Sequence, residues 1–416
     1  MLKRFLKDNP TRKNCHVYQM LKNSKPHLSF HTPGHKVGKW DLTELSFSDN
    51  LSSPRGCIAK AERDIAQILH ANASSILTDG STSGVLSMLY SAKNLGVKTL
   101  ALPARVHKSA TNACHVFGIK TLPFSALDEI EKTLEKADAL FVVSPDYYGN
   151  IPPLKALREI CDRQNKLLII DGAHGGHLHF SPDYYAGEFA DMWVDGVHKS
   201  LPALTQGAVV SAKTEKTAEA LREGVQIFRT TSPSYPIMAS VEYAVKYPRN
   251  ARLEKAVFDY AKKQPRVLVQ QDWTKLCARF GEHAFDVCAR LEKQGIFAEF
   301  CDGDYVVFYL SPATPFRAWK RLKSTLEKLF KLYPFTQTQR LPAPVILQKN
   351  NEEEWVDISF CEGRVCAKDC GLFPPCTPLI LRGEQITKEK IQLLQKTANV
   401  YGVFEEKICV FKKENV

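Results

Sequence analysis

Short apolar runs alternate with helical segments between residues 74 and 212, and this alternation constrains the fold more than any other feature of the sequence. The runs lie at residues 75–78, 99–102, 139–143 and 167–171, and helical patterns cover residues 82–93, 107–117 and 154–163. Apolar strands separated by helices are typical of a parallel sheet that is covered on both faces. The sequence therefore predicts an α/β fold with a mostly parallel sheet.

The sequence divides into three predicted parts. Residues 1–56 are predicted to form an N-terminal arm and loop, residues 57–249 the large domain, and residues 250–416 a smaller α+β domain. The smaller domain opens with helical patterns that we extend over residues 253–280 and 284–293. Its strand candidates lie at residues 297–300, 306–310 and 345–347.

Composition limits the classes of partner. The formal net charge is +11, but the basic residues are spread along amphipathic segments such as residues 320–331, so we expect a solvated surface and no nucleic-acid partner. The apolar stretches are strand-sized and the N-terminus lacks the apolar core of a signal peptide, which predicts a cytoplasmic protein with no membrane partner. Twelve cysteines without a regular framework indicate reduced thiols.

Two residues at strand ends carry the strongest chemical signal. Lys199 lies between the apolar runs 192–194 and 208–210, where burial would favour a neutral, nucleophilic amine. Asp171 ends the run that begins at residue 167, and ligands of open α/β sheets bind at the carboxyl ends of strands. An amine and a carboxylate in this position are the two protein groups that pyridoxal 5'-phosphate requires.

Two other segments fit the same cofactor, although each has a simpler explanation. Ser81 and Thr82 open a predicted helix, where their hydroxyls and the helix N-terminus could bind a phosphate. Ser and Thr at such positions are also ordinary N-caps. His107 follows a strand end, where its ring could cover the cofactor or could be an ordinary loop histidine.

Eight segments together resemble a known family. They read FHTPGHK (30–36), DGSTS (79–83), VHKS (106–109), SPDYYG (144–149), DGAHGGH (171–177), HKSLPALTQ (198–206), TTSPSYP (230–236) and FPPCTP (373–378). In this order they are similar to the bacterial ornithine/lysine/arginine decarboxylases, a group of fold-type-I enzymes that depend on pyridoxal phosphate. The resemblance runs from about residue 30 to residue 384 and implies a compact member without a receiver-like domain.

The resemblance assigns roles to individual residues. It implies that Lys199 is the Schiff-base lysine, that Asp171 pairs with the pyridine nitrogen, and that His107 stacks on the ring. The remaining implied contacts are Ser81, Thr82 and His198 at the phosphate, Ala173 and His174 at the ring and substrate, and Thr231 and Ser232 at the cofactor of a neighbouring subunit. The last pair implies a homodimer with shared sites, and Lys199, His107 and His198 are the expected catalytic groups.

The implied reaction is decarboxylation of a basic amino acid to an amine and CO2 in polyamine synthesis, with arginine favoured over lysine or ornithine. Glu384 and Asp146 are candidates for binding the distal cation. The sequence departs from the family pattern at Gly196, where a phosphate-binding serine is usual, and at Cys376 within the 373–378 segment. We expect the missing hydroxyl at Gly196 to weaken phosphate binding by about 1 kcal/mol without abolishing it. We expect the altered C-terminal segment to affect the substrate more than the cofactor.

Other chemistry remains open. An aminotransferase or another lyase on this fold would use the same lysine and aspartate. A metal-dependent hydrolase could use Asp171, His174, His177 and His179 as ligands. Cys361, Cys366, Cys370 and Cys376 lack the paired spacing of common zinc sites, so we expect free thiols and no metal.

Overall fold

The first half of the chain alternates strands and helices, as the sequence predicts. The structure is a computed structural model that describes residues 13–24, 28–36, 40–232, 234–334, 352–372, 378–397 and 399–412. Its first strands are β1 (Ala73–Leu77), β2 (Thr99–Pro103), β3 (Lys120–Phe124), β4 (Ala139–Val143), β5 (Leu167–Gly172), β6 (Met192–Asp195) and β7 (Ala208–Ala212). The helices around them are α1 (His16–Asn23), α2 (Cys57–Ile68), α3 (Ser81–Asn94), α4 (Lys108–Phe117), α5 (Ile130–Leu134), α6 (Leu154–Arg163), α7 (Ala186–Phe189), α8 (Val197–Ser200), α9 (Glu215–Phe228) and α10 (Tyr235–Val245).

These strands form one sheet in the order β1-β7-β6-β5-β4-β2-β3, in which β7 alone is antiparallel to its neighbours. Alternate residues of a strand enter different cores: Ile170 and Trp193 pack into one cluster, and Ile169 into the other. Both faces of the sheet are therefore buried, which explains its continuous apolar runs. The predicted α/β fold with a mostly parallel sheet is confirmed.

The N-terminal segment also contributes to this core. Val17 and Leu21 of α1 are fully buried in the cluster on one face of the sheet. The carboxylate of Glu242 in α10 accepts hydrogen bonds from the backbone N–H groups of His16 (2.6 Å) and Val17 (2.9 Å). The first turn of α1 is thus anchored to α10 by a buried carboxylate, which satisfies two of its free donors.

The second half contains smaller sheets. Its strands are β8 (Lys275–Arg279), β9 (Phe300–Cys301), β10 (Tyr305–Tyr309), β11 (Glu353–Asp357), β12 (Cys370–Leu372), β13 (Pro378–Ile380), β14 (Val400–Tyr401), β15 (Val403–Phe404) and β16 (Lys407–Phe411). Its helices are α11 (Ala251–Lys263), α12 (Ala284–Glu292), α13 (Phe316–Leu332) and α14 (Lys388–Lys396). The sheet β8-β10-β9 shares a core with α11, α12 and α13, whereas residues 358–410 form a separate core of their own.

One predicted helix is wrong. The helical pattern that we extended over residues 253–280 ends with α11 at Lys263, and residues 275–279 form β8. Pro265 follows the C-cap residue Gln264, which is extended (φ −101°, ψ 105°), as expected before a proline. The apolar residues of β8 alternate between two cores, with Leu276 in one and Cys277 in the other, so their period is that of a strand.

Two other predictions fall outside the described residues. These are the strand at 345–347 and most of the 373–378 segment, including Cys376. The cysteines that the structure describes form no disulfide bond. Within the same residues, no helix combines the length and the apolar character needed to cross a bilayer.

Candidate active site

A cavity of about 290 Å³ opens at the carboxyl edge of the large sheet. Eight of the ten predicted site residues line it: Ser81, Thr82, His107, Asp171, Ala173, His174, His198 and Lys199. They come from the loops after β1, β2, β5 and β6, whose carboxyl ends meet at this edge. Thr231 and Ser232 are not among the lining residues, so this chain does not bring them into its own cavity.

Lys199 is presented by α8, the single helical turn between β6 and β7. Its Nζ lies 3.2 Å from Nε2 of His174. Burial lowers the pKa of His174 well below its usual value, and the positive charges of Lys199 and Lys275 lower it further. A neutral imidazole therefore faces the lysine amine. The His174 ring is held edge-on by Tyr147 and Tyr309, at 4.7 and 5.5 Å between ring centroids.

Asp171 lies near the end of β5 and is buried. Its Oδ1 accepts a hydrogen bond from the backbone N–H of Ala173 at 3.0 Å. Burial raises the pKa of Asp171, while the positive charge of Lys199 acts in the opposite direction. A buried carboxyl group of this kind is suited to hold a proton on a ring nitrogen.

The other end of the cavity is suited to an anion. Helix α3 begins at Ser81, and its N-cap Gly80 has φ +84° and no side chain to cap the helix. The free N–H groups of the first turn therefore point toward the cavity, beside Thr205, Gln206 and His198. The hydroxyl of Ser81 is buried, and no hydrogen-bond partner for it occurs among the described residues.

Gly196 is required by the close approach of the Ala173 backbone and the Ser81 hydroxyl. A Cβ at this position would clash with the carbonyl oxygen of Ala173 and would lie 2.8 Å from Oγ of Ser81. The serine that the resemblance leads one to expect here could not be accommodated without a backbone shift. Ala173 and Ser81 thus occupy the space that a serine side chain at position 196 would need.

His107 both caps a helix and lines the cavity. It is the N-cap residue of α4, and its Nδ1 accepts from the N–H of Ser109 at 3.2 Å. The same ring lines the cavity. Burial, followed by the positive charge of Lys199, lowers the pKa of His107 to about 4, so the ring is neutral near pH 7.

The geometry does not favour the metal-site alternative. His177 Nε2 lies 2.8 Å from Oδ1 of Asp272, whereas Nδ1 of His179 lies 2.7 Å from the carbonyl of Gly176. The two rings are thus directed to different partners. In the part of the chain that the structure describes, the group whose ligand atoms lie close enough for an ion is His16, Asp64 and Glu242. There the Lys246 ammonium lies 2.6 Å from Asp64 and 2.9 Å from Glu242, where an ion would have to displace it.

The structure adds residues that sequence reasoning missed or misplaced. Arg105, Tyr147, Thr205 and Gln206 line the cavity, and Asp146 joins them as suggested. Glu384 does not: it is fully buried beside Lys390 in the C-terminal core. Glu299, just before β9, interacts electrostatically with Lys199 and Lys275. Tyr147 and Gln206 lie within the quoted segments, whereas no sequence signal pointed to Glu299.

Comparisons with known proteins find similarity to amino-acid decarboxylases. The model of the "Orn/Lys/Arg decarboxylase, major domain" family matches residues 124–271. The uncharacterized protein YaaO of Bacillus subtilis is 26% identical over 88% of this chain and 90% of its own length. The arginine decarboxylase of Halalkalibacterium halodurans is 25% identical over 89% and 90%.

The fold is also that of solved structures. The constitutive lysine decarboxylase of Escherichia coli superposes with a TM-score of 0.67 at 18% identity, covering 97% of this chain and 82% of that one. These matches confirm the fold-type-I assignment and the resemblance to the ornithine/lysine/arginine decarboxylases. They indicate an amino-acid decarboxylase, a lyase that depends on pyridoxal phosphate.

The residues of the cavity fit this cofactor. An amine, a buried carboxyl group and an uncapped helix N-terminus with an unpartnered hydroxyl surround one space. They match the aldehyde, the ring nitrogen and the phosphate of pyridoxal phosphate. Lys199, Asp171 and the first turn of α3 are the groups that would hold it.

Proposed function

We propose that this chain, which the comparisons relate to the ornithine/lysine/arginine decarboxylase family, removes the carboxyl group of a basic amino acid, with arginine preferred over lysine and ornithine. The observation that carries the proposal is the convergence of Lys199, Asp171 and the start of α3 on one cavity. The arginine preference is supported by the names of relatives such as the one from H. halodurans.

Pyridoxal phosphate, when bound, acts as an electron sink for the charge that remains as CO2 leaves. In our proposal the Lys199 amine holds the cofactor covalently, and Asp171 keeps a proton on the ring nitrogen. The N–H groups of the α3 first turn, with Ser81, Thr82 and His198, bind the phosphate. The neutral ring of His107 covers the face of the cofactor.

Lys199 and His174 are suited to return a proton to the substrate carbon. Their nitrogen atoms lie 3.2 Å apart, and burial lowers the pKa of His174 well below its usual value, so the imidazole of this pair is neutral. Ala173, which also lines the cavity, supports the substrate from the β5 loop.

Acidic groups near the smaller domain support a cationic substrate. Asp146 lines the cavity, although its carboxylate also accepts hydrogen bonds from the N–H groups of Tyr148 and Asn150, each at 2.9 Å. Glu299 is near enough to interact with Lys199. We propose that Glu299, with Asp146, attracts the distal cation, in place of the suggested Glu384.

We further propose a homodimer in which Thr231 and Ser232 reach the cofactor of the neighbouring subunit. Their exclusion from the chain's own cavity is compatible with that arrangement. A cytoplasmic role in polyamine synthesis follows from the same resemblance.

The proposal is tested by adding arginine, lysine and ornithine separately to the protein loaded with pyridoxal phosphate and recording CO2. We expect release from arginine to be fastest and Lys199→Ala to be inactive with all three. Loaded protein that forms an oxo acid without CO2 would instead indicate an aminotransferase. Loaded protein that leaves all three amino acids unchanged would contradict the proposed substrate class.

A further inference from the structure

A buried ion pair of the smaller domain lies directly behind the candidate active site. Asp272 and Lys275 are 2.8 Å apart, and their side chains are 0% and 1% exposed. Neither residue lines the cavity. Charges buried so completely are costly unless every donor and acceptor has a partner, so their partners reveal what the pair stabilises.

Each partner of the pair can be named. Asp272 accepts from the N–H and the hydroxyl of Thr274, at 2.8 and 2.6 Å, and its Oδ1 lies 2.8 Å from Nε2 of His177. Lys275 Nζ donates to Asp272, to the hydroxyl of Thr274 at 2.9 Å and to the carbonyl oxygen of His174 at 3.1 Å. The pair thus holds the β5 loop at two points, His174 and His177.

The contact with His174 reaches the reactive amine. The backbone of His174 is fixed by Lys275, and Nε2 of its ring lies 3.2 Å from Nζ of Lys199. Tyr309 of the smaller domain touches both residues, with its ring 4.9 Å from Lys275 Nζ and 5.5 Å from the His174 ring. Lys275 and Tyr309, both from the smaller domain, therefore fix the position of His174.

The large domain contacts the pair through Gly149. Gly149 has φ +93°, and its carbonyl accepts from the N–H of Asp272 at 3.2 Å. A Cβ on Gly149 would lie 3.0 Å from Cβ of Lys275 and 3.2 Å from the carbonyl oxygen of Asp272. A glycine with left-handed backbone is thus needed where the two domains approach most closely.

We propose that Asp272 and Lys275 are positioning residues through which the smaller domain fixes His174 against Lys199 and balances the charge around the Lys199 amine. The inference rests on the proposed function of Lys199. It predicts that removing either charge changes the electrostatic environment of Lys199, and that the two removals act in opposite directions.

Other charged or titratable groups act on the same amine. They are Asp171 on β5, His107 at the start of α4, His174 on the β5 loop, His198 on α8 and Glu299 before β9. None of these residues is itself substituted when only position 272 or 275 is altered. A shift in such variants therefore reports the pair, acting on Lys199 directly or through the position of His174.

The test follows the visible absorption of the protein loaded with pyridoxal phosphate as a function of pH. In Lys275→Met a cation is lost, so the protonated form of the chromophore is favoured and the midpoint moves to higher pH. In Asp272→Asn the cation remains without its partner, and the midpoint moves to lower pH. We expect each shift to be about half a pH unit or more.

The C-terminal core supplies a matched control. Lys390 and Glu384 form an ion pair with side-chain exposures of 1% and 0%, remote from the cavity. Lys390→Met and Glu384→Gln should reduce stability to urea as much as the first two variants, with no shift of the midpoint. This contrast separates an effect on Lys199 from the general cost of breaking a buried pair.

Opposite shifts in Lys275→Met and Asp272→Asn, absent from both control variants, would support the inference. Shifts of the same sign, or an unmoved midpoint, would overturn it. If Lys275→Met does not fold, the nearly isosteric Asp272→Asn alone must move the midpoint downward. A wild-type protein that acquires no absorption band with pyridoxal phosphate would instead overturn the proposed function.

Discussion

The two ends of the large sheet each carry a cavity, and the larger of the two is not the candidate active site. The cavity at the amino ends of the strands measures about 460 Å³, against about 290 Å³ at the carboxyl ends. At the amino end the guanidinium of Arg158 pairs with Asp191 and Asp162, each at 2.8 Å. Asp191 also accepts from the N–H of Leu168 at 2.7 Å. These charges stabilise one another.

The pKa shifts of an acid and of a base differ in direction between the two ends of the sheet. At the amino end, burial opposes the charge of Arg158, but its hydrogen bond to Asp191 and the negative charges of Asp191 and Asp162 together raise the Arg158 pKa. The backbone N–H groups of Lys98 and Thr99 lower the pKa of Asp138. At the carboxyl end, burial raises the pKa of Asp171 and lowers those of His107 and His174.

The shifts at the amino end therefore favour the charged forms of Arg158 and Asp138, whereas burial at the carboxyl end favours the neutral forms of Asp171, His107 and His174. A charged group with complete partners contributes to folding. A buried group whose charge is disfavoured can exchange a proton with a ligand, which is what acid–base chemistry requires. The direction of these pKa shifts, unlike the cavity volumes, agrees with placing the candidate active site at the carboxyl end.

The substitution Asp171→Asn, which removes the buried carboxyl group at the carboxyl end of the sheet, is expected to have the largest effect on activity. The amide cannot hold a proton on a ring nitrogen as a carboxylate does, so we expect decarboxylation to fall about 100-fold. Stability to urea should be unchanged or higher, because an amide is less costly to bury than a carboxyl group. CO2 release and urea unfolding measure the two effects.

Arg158→Met is the matched change at the opposite end. It should lower the free energy of unfolding by about 1 to 2 kcal/mol, because Asp191 loses its partner in a partly exposed site. Decarboxylation per folded molecule should stay within about twofold of wild type, as expected for a substitution outside the active site. A large loss of activity in this variant would show that the two ends are not distinct.

A smaller effect is expected in Glu299→Gln, which sharpens the assignment of the cationic subsite. Loss of one carboxylate near the distal cation should raise KM for arginine about tenfold, since such a contact contributes about 1.4 kcal/mol. Turnover of norleucine, which lacks a distal cation, serves as the control and should not change. Equal losses with both amino acids would contradict this role of Glu299.

The smallest expected effect concerns pH and stability. Burial lowers the pKa of His179 to about 4, so in acid the unfolded chain binds a proton before the folded chain does. Stability should therefore fall between about pH 6.5 and pH 4, and His107 contributes in the same direction. Urea midpoints at pH 7 and pH 5 measure the change, and His179→Gln should make it smaller. An unchanged pH dependence in that variant would contradict the assignment.

Much of this active site was accessible from the sequence because its signals are local. Apolar runs predicted the strands, and Asp171 and Lys199 stand at or just beyond strand ends, where neighbouring loops must meet. Asp272 and Lys275 were missed because they act across 95 and 101 residues of chain, on His177 and His174. They also lie in a stretch that was predicted to be helical, which hid the turn before β8.

Other residues depended on interactions that a sequence does not reveal. Gly196 looked like a lost phosphate ligand, whereas the structure explains it by the approach of Ala173 and Ser81. Glu384 looked available for a cation, but Lys390 pairs with it in a buried core. Ala173 and Ser81 are distant from Gly196 in sequence, and Lys390 lies on helix α14, six residues beyond Glu384, where only the fold shows that the two side chains are buried together.

The most direct test of the account is chemical trapping at Lys199. The protein is loaded with pyridoxal phosphate and treated with borohydride, which reduces a carbon–nitrogen double bond between a lysine and the cofactor to a stable amine. Peptide mass spectrometry then locates the added group. We predict that it is found on Lys199 and is lost in Lys199→Ala, whereas its recovery on another lysine or on none would contradict the central claim.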